Sequence, residues 1–252
     1  MTQKIHQQLR KGGATIGSWM QLPNASVAEI MGKAGFDWVA LDLEHGSFSV
    51  ESLPDLCRAL ELGGTVPFAR VAQNSCKDIK QAIEAGTRGI IIPMIENRSE
   101  MEHGVAWAKY PPAGIRGVGY SRANLFGRNF QSHFSSFNDE LVVVAQIESI
   151  RAVENLDDIL TVPGVDALIV GPYDLSASMG LTGQFEHPDF VASLTTIHRK
   201  ALQHRIPMGL HIVQPDPVLL RAKIAEGYQF IAYGIDAVFL YNNAVNPLNP
   251  KS

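Results

Sequence analysis

Short apolar runs alternate with amphipathic stretches along nearly the whole chain. The runs fall at 15–20, 38–45, 66–71, 89–93, 141–148, 165–171, 207–212 and 230–234. Unbroken apolar stretches of roughly four to eight residues suit strands buried on both faces, as in a parallel sheet. Between them, apolar residues recur at helical spacing over 24–34, 49–62, 76–85, 99–109, 150–160, 188–204 and 216–225. One joint recurs: at Gly35, Gly86, Gly164 and Gly227 a helix-stopping glycine leads through a short turn into an apolar strand. Repeated use of one helix-to-strand joint means βα units of a single handedness. Eight such units predict an α/β fold, a single-domain (β/α)8 TIM barrel over residues 1–252. Residues 1–13 read as a polar lead-in, and 236–252 as a short C-terminal helix and tail. An open doubly wound sheet is the other α/β solution, but the Gly-rich dinucleotide loop after the first strand is missing.

Composition narrows the classes. A length of 252 residues is ordinary for one barrel, and 46% hydrophobic with 18% charged residues is the balance of a chain with a large core. No window approaches the roughly 18 unbroken apolar residues of a membrane span, so no membrane partner is expected. The first residues lack the apolar core of a secretory signal, which makes a cytoplasmic location the expectation. A formal net charge of −4 without a basic block argues against nucleic acid. The two cysteines, Cys57 and Cys76, form neither a metal spacing nor a disulfide framework.

In a barrel, chemistry gathers at the C-terminal ends of the strands. Those ends carry Asp42, Glu44 and His45, then Arg70, Gln146 with Glu148, Asp174 just past Gly171-Pro172, and His211. Glu148 and Asp174 are carboxylates on neighbouring strands, the pattern that holds a hard cation whose other positions go to water and substrate. They also suit helix and turn caps. Arg70 offers a fixed positive charge for an oxyanion, or a structural partner for Asp42. His45 has an ordinary pKa near neutrality and suits proton transfer. No lysine ends a strand; all lie in expected helices, lead-in or tail, which argues against Schiff-base chemistry.

With these residues placed, the chain resembles the metal-dependent (class II) pyruvate aldolases of the HpcH/HpaI type, such as 4-hydroxy-2-oxoheptanedioate aldolase and 2-dehydro-3-deoxyglucarate aldolase. The resemblance runs nearly full length through Gly35-Phe36-Asp37-Trp38, Asp42-Leu43-Glu44-His45, Arg70-Val71, Pro93-Met94, Tyr110-Pro111-Pro112, Arg116-Gly117-Val118-Gly119, Gln146-Ile147-Glu148 and Gly171-Pro172-Tyr173-Asp174. It implies a divalent cation (Mg²⁺, Mn²⁺ or Co²⁺) on Glu148 and Asp174. It places pyruvate against Gln146 and the backbone of Tyr173 and Asp174, with His45 as base and Arg70 on the enolate. Asp42 and Glu84 would orient His45 or raise its basicity. The implied reaction is reversible cleavage of a 4-hydroxy-2-oxo acid to pyruvate and an aldehyde through a cation-held pyruvate enolate. The implied assembly is a homo-oligomer, a hexamer built as a trimer of dimers.

The chain departs from its relatives in three places. Glu84 replaces the usual Asp, His211 stands where relatives commonly carry an apolar residue, and the tail at 246–250 is poor in helix formers. Two other readings remain open: a decarboxylase of oxaloacetate-like acids using the same enolate, and a catalytically silent barrel.

Overall fold

Eight strands pair in sequence order, each parallel to its neighbours, and β8 closes on β1. They are β1 (Thr15–Met20), β2 (Trp38–Asp42), β3 (Val66–Arg70), β4 (Gly89–Ile92), β5 (Val142–Ile147), β6 (Ala167–Val170), β7 (Met208–Ile212) and β8 (Phe230–Ile235). This computed structural model describes residues 2–248, and residues 249–252 of the expected tail lie outside the described residues. The expected TIM barrel is the fold found. Among the described residues no helix is long and apolar enough to cross a membrane.

Side-chain alternation sorts each strand. Trp38 and Ala40 of β2 join Phe68, Ile91, Val144, Ile169 and Phe230 in a core inside the barrel. Val39 and Leu41, one residue out of step, pack outward under the helices Ala25–Lys33 and Leu53–Gly63. The floor of the barrel is aromatic: Trp38 stacks on Phe230 at 4.3 Å between centroids and on Phe68 at 5.4 Å. Rings of that size need small neighbours. Gly17 lies opposite Trp38 in the β1–β2 register, and a Cβ there would fall inside the indole. Gly89 does the same for Phe68.

The residues expected as a lead-in instead form a helix, Thr2–Arg10, which brings Ile5 and Leu9 into the interior core from the N-terminal side. Three of the other segments that differ from the sequence reading bear on the packing and the site. The stretch 150–160 is two helices, Ile150–Glu154 and Leu156–Leu160, parted at Asn155, whose side-chain amide donates to the Glu96 carbonyl. The helix Phe130–Glu140 was not anticipated, although Phe130, Phe134 and Phe137 stand at helical spacing. It packs Phe137 against Tyr110 and places the Arg116 guanidinium 4.8 Å from the Phe137 ring and 4.5 Å from that of Tyr110. The third, the end of β2, belongs to the site. The four joint glycines behave as their repeat predicts, with φ from 87° at Gly35 to 114° at Gly86.

Because Gly17 makes room for Trp38, Gly17→Ala is expected to lower the free energy of unfolding by about 1–3 kcal/mol, the range for an overpacked core. Urea denaturation measures it, and an unchanged midpoint would contradict this account of the barrel floor.

Candidate active site

Trp38, Ala40 and Asp42 share the inward face of β2, so the strand delivers a carboxylate into the barrel mouth. The strand stops there. Residues 43–46 turn away, and Asp42 holds the turn by accepting from the backbone N–H of Glu44 (3.3 Å) and of His45 (3.2 Å). The expected strand to residue 45 is therefore too long by a turn that Asp42 itself organises.

Register places Arg70, the last residue of β3, directly beside Asp42. The guanidinium donates twice to this carboxylate, Nε to Oδ1 at 2.8 Å and Nη2 to Oδ2 at 2.7 Å. Gln21 donates to Oδ2 at 2.9 Å. Glu44 stands 3.1 Å from Nη1, and the Trp19 ring lies 4.4 Å from the guanidinium carbon. Asp42 is fully buried, and burial alone would raise its pKa. The Arg70 bonds and charge, with Gln21 and the His45 N–H, outweigh that and hold the carboxyl below its ordinary value. Arg70 is thus the structural partner of Asp42, and it is also one of the residues that line the cavity.

A second carboxylate group lies across the mouth. Glu148, just past β5, accepts from the side-chain amide of Gln146 and from the backbone N–H of Met94 at 2.6 Å. Met94 adopts φ 55°, a left-handed conformation that costs a non-glycine residue and turns its N–H toward Glu148. Asp174 sits in the first turn of the helix Pro172–Ser178, after β6. Gly171 separates the two: a Cβ there would stand 2.9 Å from Glu148 Oε2 and 3.8 Å from Asp174 Oδ2. Burial pushes the Glu148 carboxyl up. Its two hydrogen bonds oppose this, and the negative charges of Glu44 and Asp174 add to it. A buried carboxylate facing two others gains from a cation, and a hard divalent ion fits this all-oxygen donor set. Among the described residues no group of three His, Cys, Asp or Glu side chains forms a complete ligand cluster. Water and substrate would have to complete the shell.

His45 leans from its turn over the mouth, its side chain 58% exposed. The acid nearest its ring is Glu44, with Oε2 3.9 Å from Nε2. Asp42 reaches only its backbone. Glu84 does not reach it within the chain. It ends the helix Cys76–Glu84, which descends from the C-terminal end of β3 toward the start of β4, and its charge acts on Tyr110 and Arg116.

Trp19, Asp42, His45, Arg70, Gln146, Gly171, Tyr173, Asp174 and His211 share one cavity of about 330 Å³. Glu148 adjoins it through Gln146 and Gly171. A larger hollow of about 560 Å³ lies near Arg88 and Glu140, where β4 and β5 begin, at the end of the barrel associated with stability rather than chemistry. The sequence reading missed Gln21 and Asp236. Asp236 accepts from the backbone N–H of Gln21 (2.8 Å) and of Leu22 (3.0 Å), fixing the loop that carries Gln21 to Asp42. Both follow strand ends, so the strand-end rule applied to β1 and β8 finds them.

With this geometry in place, comparison with known proteins is direct. The HpcH/HpaI aldolase/citrate lyase profile matches residues 15–243. The chain belongs to the HpcH/HpaI family. As a member it is an aldolase, a carbon–carbon lyase. It is 38% identical over 222 residues to 5-keto-4-deoxy-D-glucarate aldolase of Shigella dysenteriae, covering 88% of this chain and 86% of that one. It is 34% identical over 237 residues to 2-dehydro-3,6-dideoxy-6-sulfogluconate aldolase of Pseudomonas putida, covering 94% and 92%. Among solved structures, an HpcH/HpaI family protein from Burkholderia cenocepacia superposes with a TM-score of 0.89 at 31% identity, covering 95% of both chains.

The Asp42–Arg70 pair sets a stability expectation for this HpcH/HpaI barrel. Asp42→Ala leaves a buried guanidinium short of its partner, and the expected loss is about 3–5 kcal/mol at pH 7. Asp42 has a lowered folded-state pKa, so its stabilisation is present above the unfolded value of 3.8 and disappears as pH falls through the lower folded value. Urea unfolding of both proteins at pH 7 and at pH 3 checks this. A difference that does not shrink in acid would contradict the assignment.

Proposed function

We propose that this HpcH/HpaI aldolase reversibly cleaves a 4-hydroxy-2-oxo acid of the 2-keto-3-deoxy sugar acid kind to pyruvate and an aldehyde, through a pyruvate enolate. The observation that carries the reading is the convergence, in and beside one cavity, of a pinned guanidinium, an exposed imidazole and a paired carboxylate site. Glu148 and Asp174 would hold a divalent cation of the Mg²⁺, Mn²⁺ or Co²⁺ kind. When bound, it supplies Lewis acidity toward the carboxylate and C2 carbonyl of a 2-oxo acid.

The residues of the chain divide the remaining work. Gln146, with the backbone of Tyr173 and Asp174, holds the pyruvate half. His45 takes the proton of the C4 hydroxyl; the C3–C4 bond breaks, its electron pair passes into the enolate, and the aldehyde leaves. Arg70 neutralises charge that exists only as the enolate forms, so its binding energy acts on the transition state more than on the substrate. Asp42 positions both partners, Arg70 through its carboxylate and His45 through its backbone. Within one chain the acid beside the His45 ring is Glu44. Glu84 could do so only if supplied by a second copy of the chain, as a homo-oligomer would allow.

Two outcomes are expected. Pyruvate incubated with the protein and Mg²⁺, Mn²⁺ or Co²⁺ in D₂O should exchange its methyl protons; absence of exchange with all three would overturn the enolate reading. Gly171→Ala should weaken Mn²⁺ binding by about tenfold or more, because the added methyl crowds Glu148 within a close-packed wall. Unchanged Mn²⁺ affinity by calorimetry would remove Glu148 from the cation site.

A further inference from the structure

His211 is the strand-end residue that the proposed chemistry leaves unused. It lies on β7, paired with Ala232 of β8, and lines the cavity between Trp19, Val213 and Ile235. The ring sits 5.5 Å from that of Trp19, tilted by 42°. Its Nε2 is 3.2 Å from the carbonyl oxygen of Gly234. A carbonyl oxygen only accepts, so Nε2 must carry a hydrogen. Burial disfavours the imidazolium and outweighs the Gly234 bond, and the Arg70 guanidinium acts the same way, bringing the His211 pKa down to about 4. The ring is therefore neutral near pH 7, and Nδ1 carries a lone pair. Among the described residues Nε2 makes the hydrogen bond of this ring, and no group bonds Nδ1. The ring that carries this lone pair lines the cavity.

We infer that His211 is a specificity-determining residue, a fixed hydrogen-bond acceptor that selects aldehydes bearing a hydroxyl, whose O–H donates to Nδ1. The inference rests on the aldolase reading of this cavity. The neighbouring wall, built from Trp19, Ile169, Val213 and Ile235, supplies no side-chain acceptor of its own. A hydroxyl directed there is satisfied by His211 or left unpaired, and a buried unpaired polar group is what makes such discrimination steep. The same lone pair repels an anionic oxygen, so a carboxylate is not the group this position takes. The Gly234 bond keeps the ring from rotating, so the acceptor is in place before substrate arrives.

The test compares addition of pyruvate to 2-hydroxypropanal and to propanal, which share a carbon skeleton. Their intrinsic reactivities differ, but that difference cancels when the ratio of kcat/KM values is compared between variants. The wild-type ratio is expected to fall about tenfold in His211→Leu, the worth of one net hydrogen bond. Pyruvate deuterium exchange and the KM for pyruvate should remain unchanged. His211→Gln, whose amide oxygen can accept, should keep much of the preference. An unchanged ratio in the leucine variant, or a glutamine variant that loses as much preference as leucine, would overturn the inference. Absence of exchange in the wild type would instead overturn the enolate reading beneath it.

Discussion

The bidentate contact between Asp42 and Arg70 organises the mouth of this barrel. It joins the last residues of two adjacent strands, so the strand register and the electrostatics of the cavity are set by the same two bonds. Water is largely excluded from both side chains, 1% and 12% exposed, so neither charge is tolerable without the other. Asp42 also accepts from the turn that carries His45 and from Gln21, whose own loop is tied down by Asp236. Three strand ends, β1, β2 and β3, are therefore locked relative to one another before any substrate enters. A guanidinium held this way would lose little orientation entropy on meeting the proposed enolate, which is how preorganisation contributes to catalysis.

The opposite side of the mouth works by contrary electrostatics. Around Arg70, charges are paired. Around Glu148 the neighbouring charges repel, Glu44 and Asp174 both pushing its carboxyl up. Two amide donors, from Gln146 and Met94, hold Glu148 in place without neutralising it. The glycine at position 171 lets both acids approach the same volume. One side is thus complete within the chain, and the other gains most from a bound divalent ion.

Much of this was legible in the residues, for physical reasons. Buried parallel strands read as unbroken apolar runs, and the glycine repeated at four of the helix-to-strand joints marks a shared positive φ, so the barrel units stand out. The strand-end rule found Asp42, Arg70, Gln146, Glu148 and Asp174 because a polar residue closing an apolar run has few places to go but the mouth. It over-extended β2, since a turn held by the Asp42 side chain leaves no mark in hydrophobic patterning. It left the helix Phe130–Glu140 unassigned because three phenylalanines were diluted among serines and asparagines. The resemblance expects Glu84 to orient His45 or raise its basicity, and within its own chain that residue ends a helix directed toward the other end of the barrel. Distances across the site, such as the Gly234 bond that fixes the tautomer of His211, belong to the folded chain alone.

The central claim is that Arg70, held by Asp42, is preset for the enolate rather than for the substrate. Calorimetric titration of the protein with oxalate and with pyruvate, in saturating Mg²⁺, tests it most directly, because oxalate has the planar oxygen geometry and charge of the enolate. Arg70→Lys is expected to weaken oxalate by about tenfold or more beyond any weakening of pyruvate, since lysine cannot reproduce the fixed fork. Equal weakening of both ligands, or none, would contradict it.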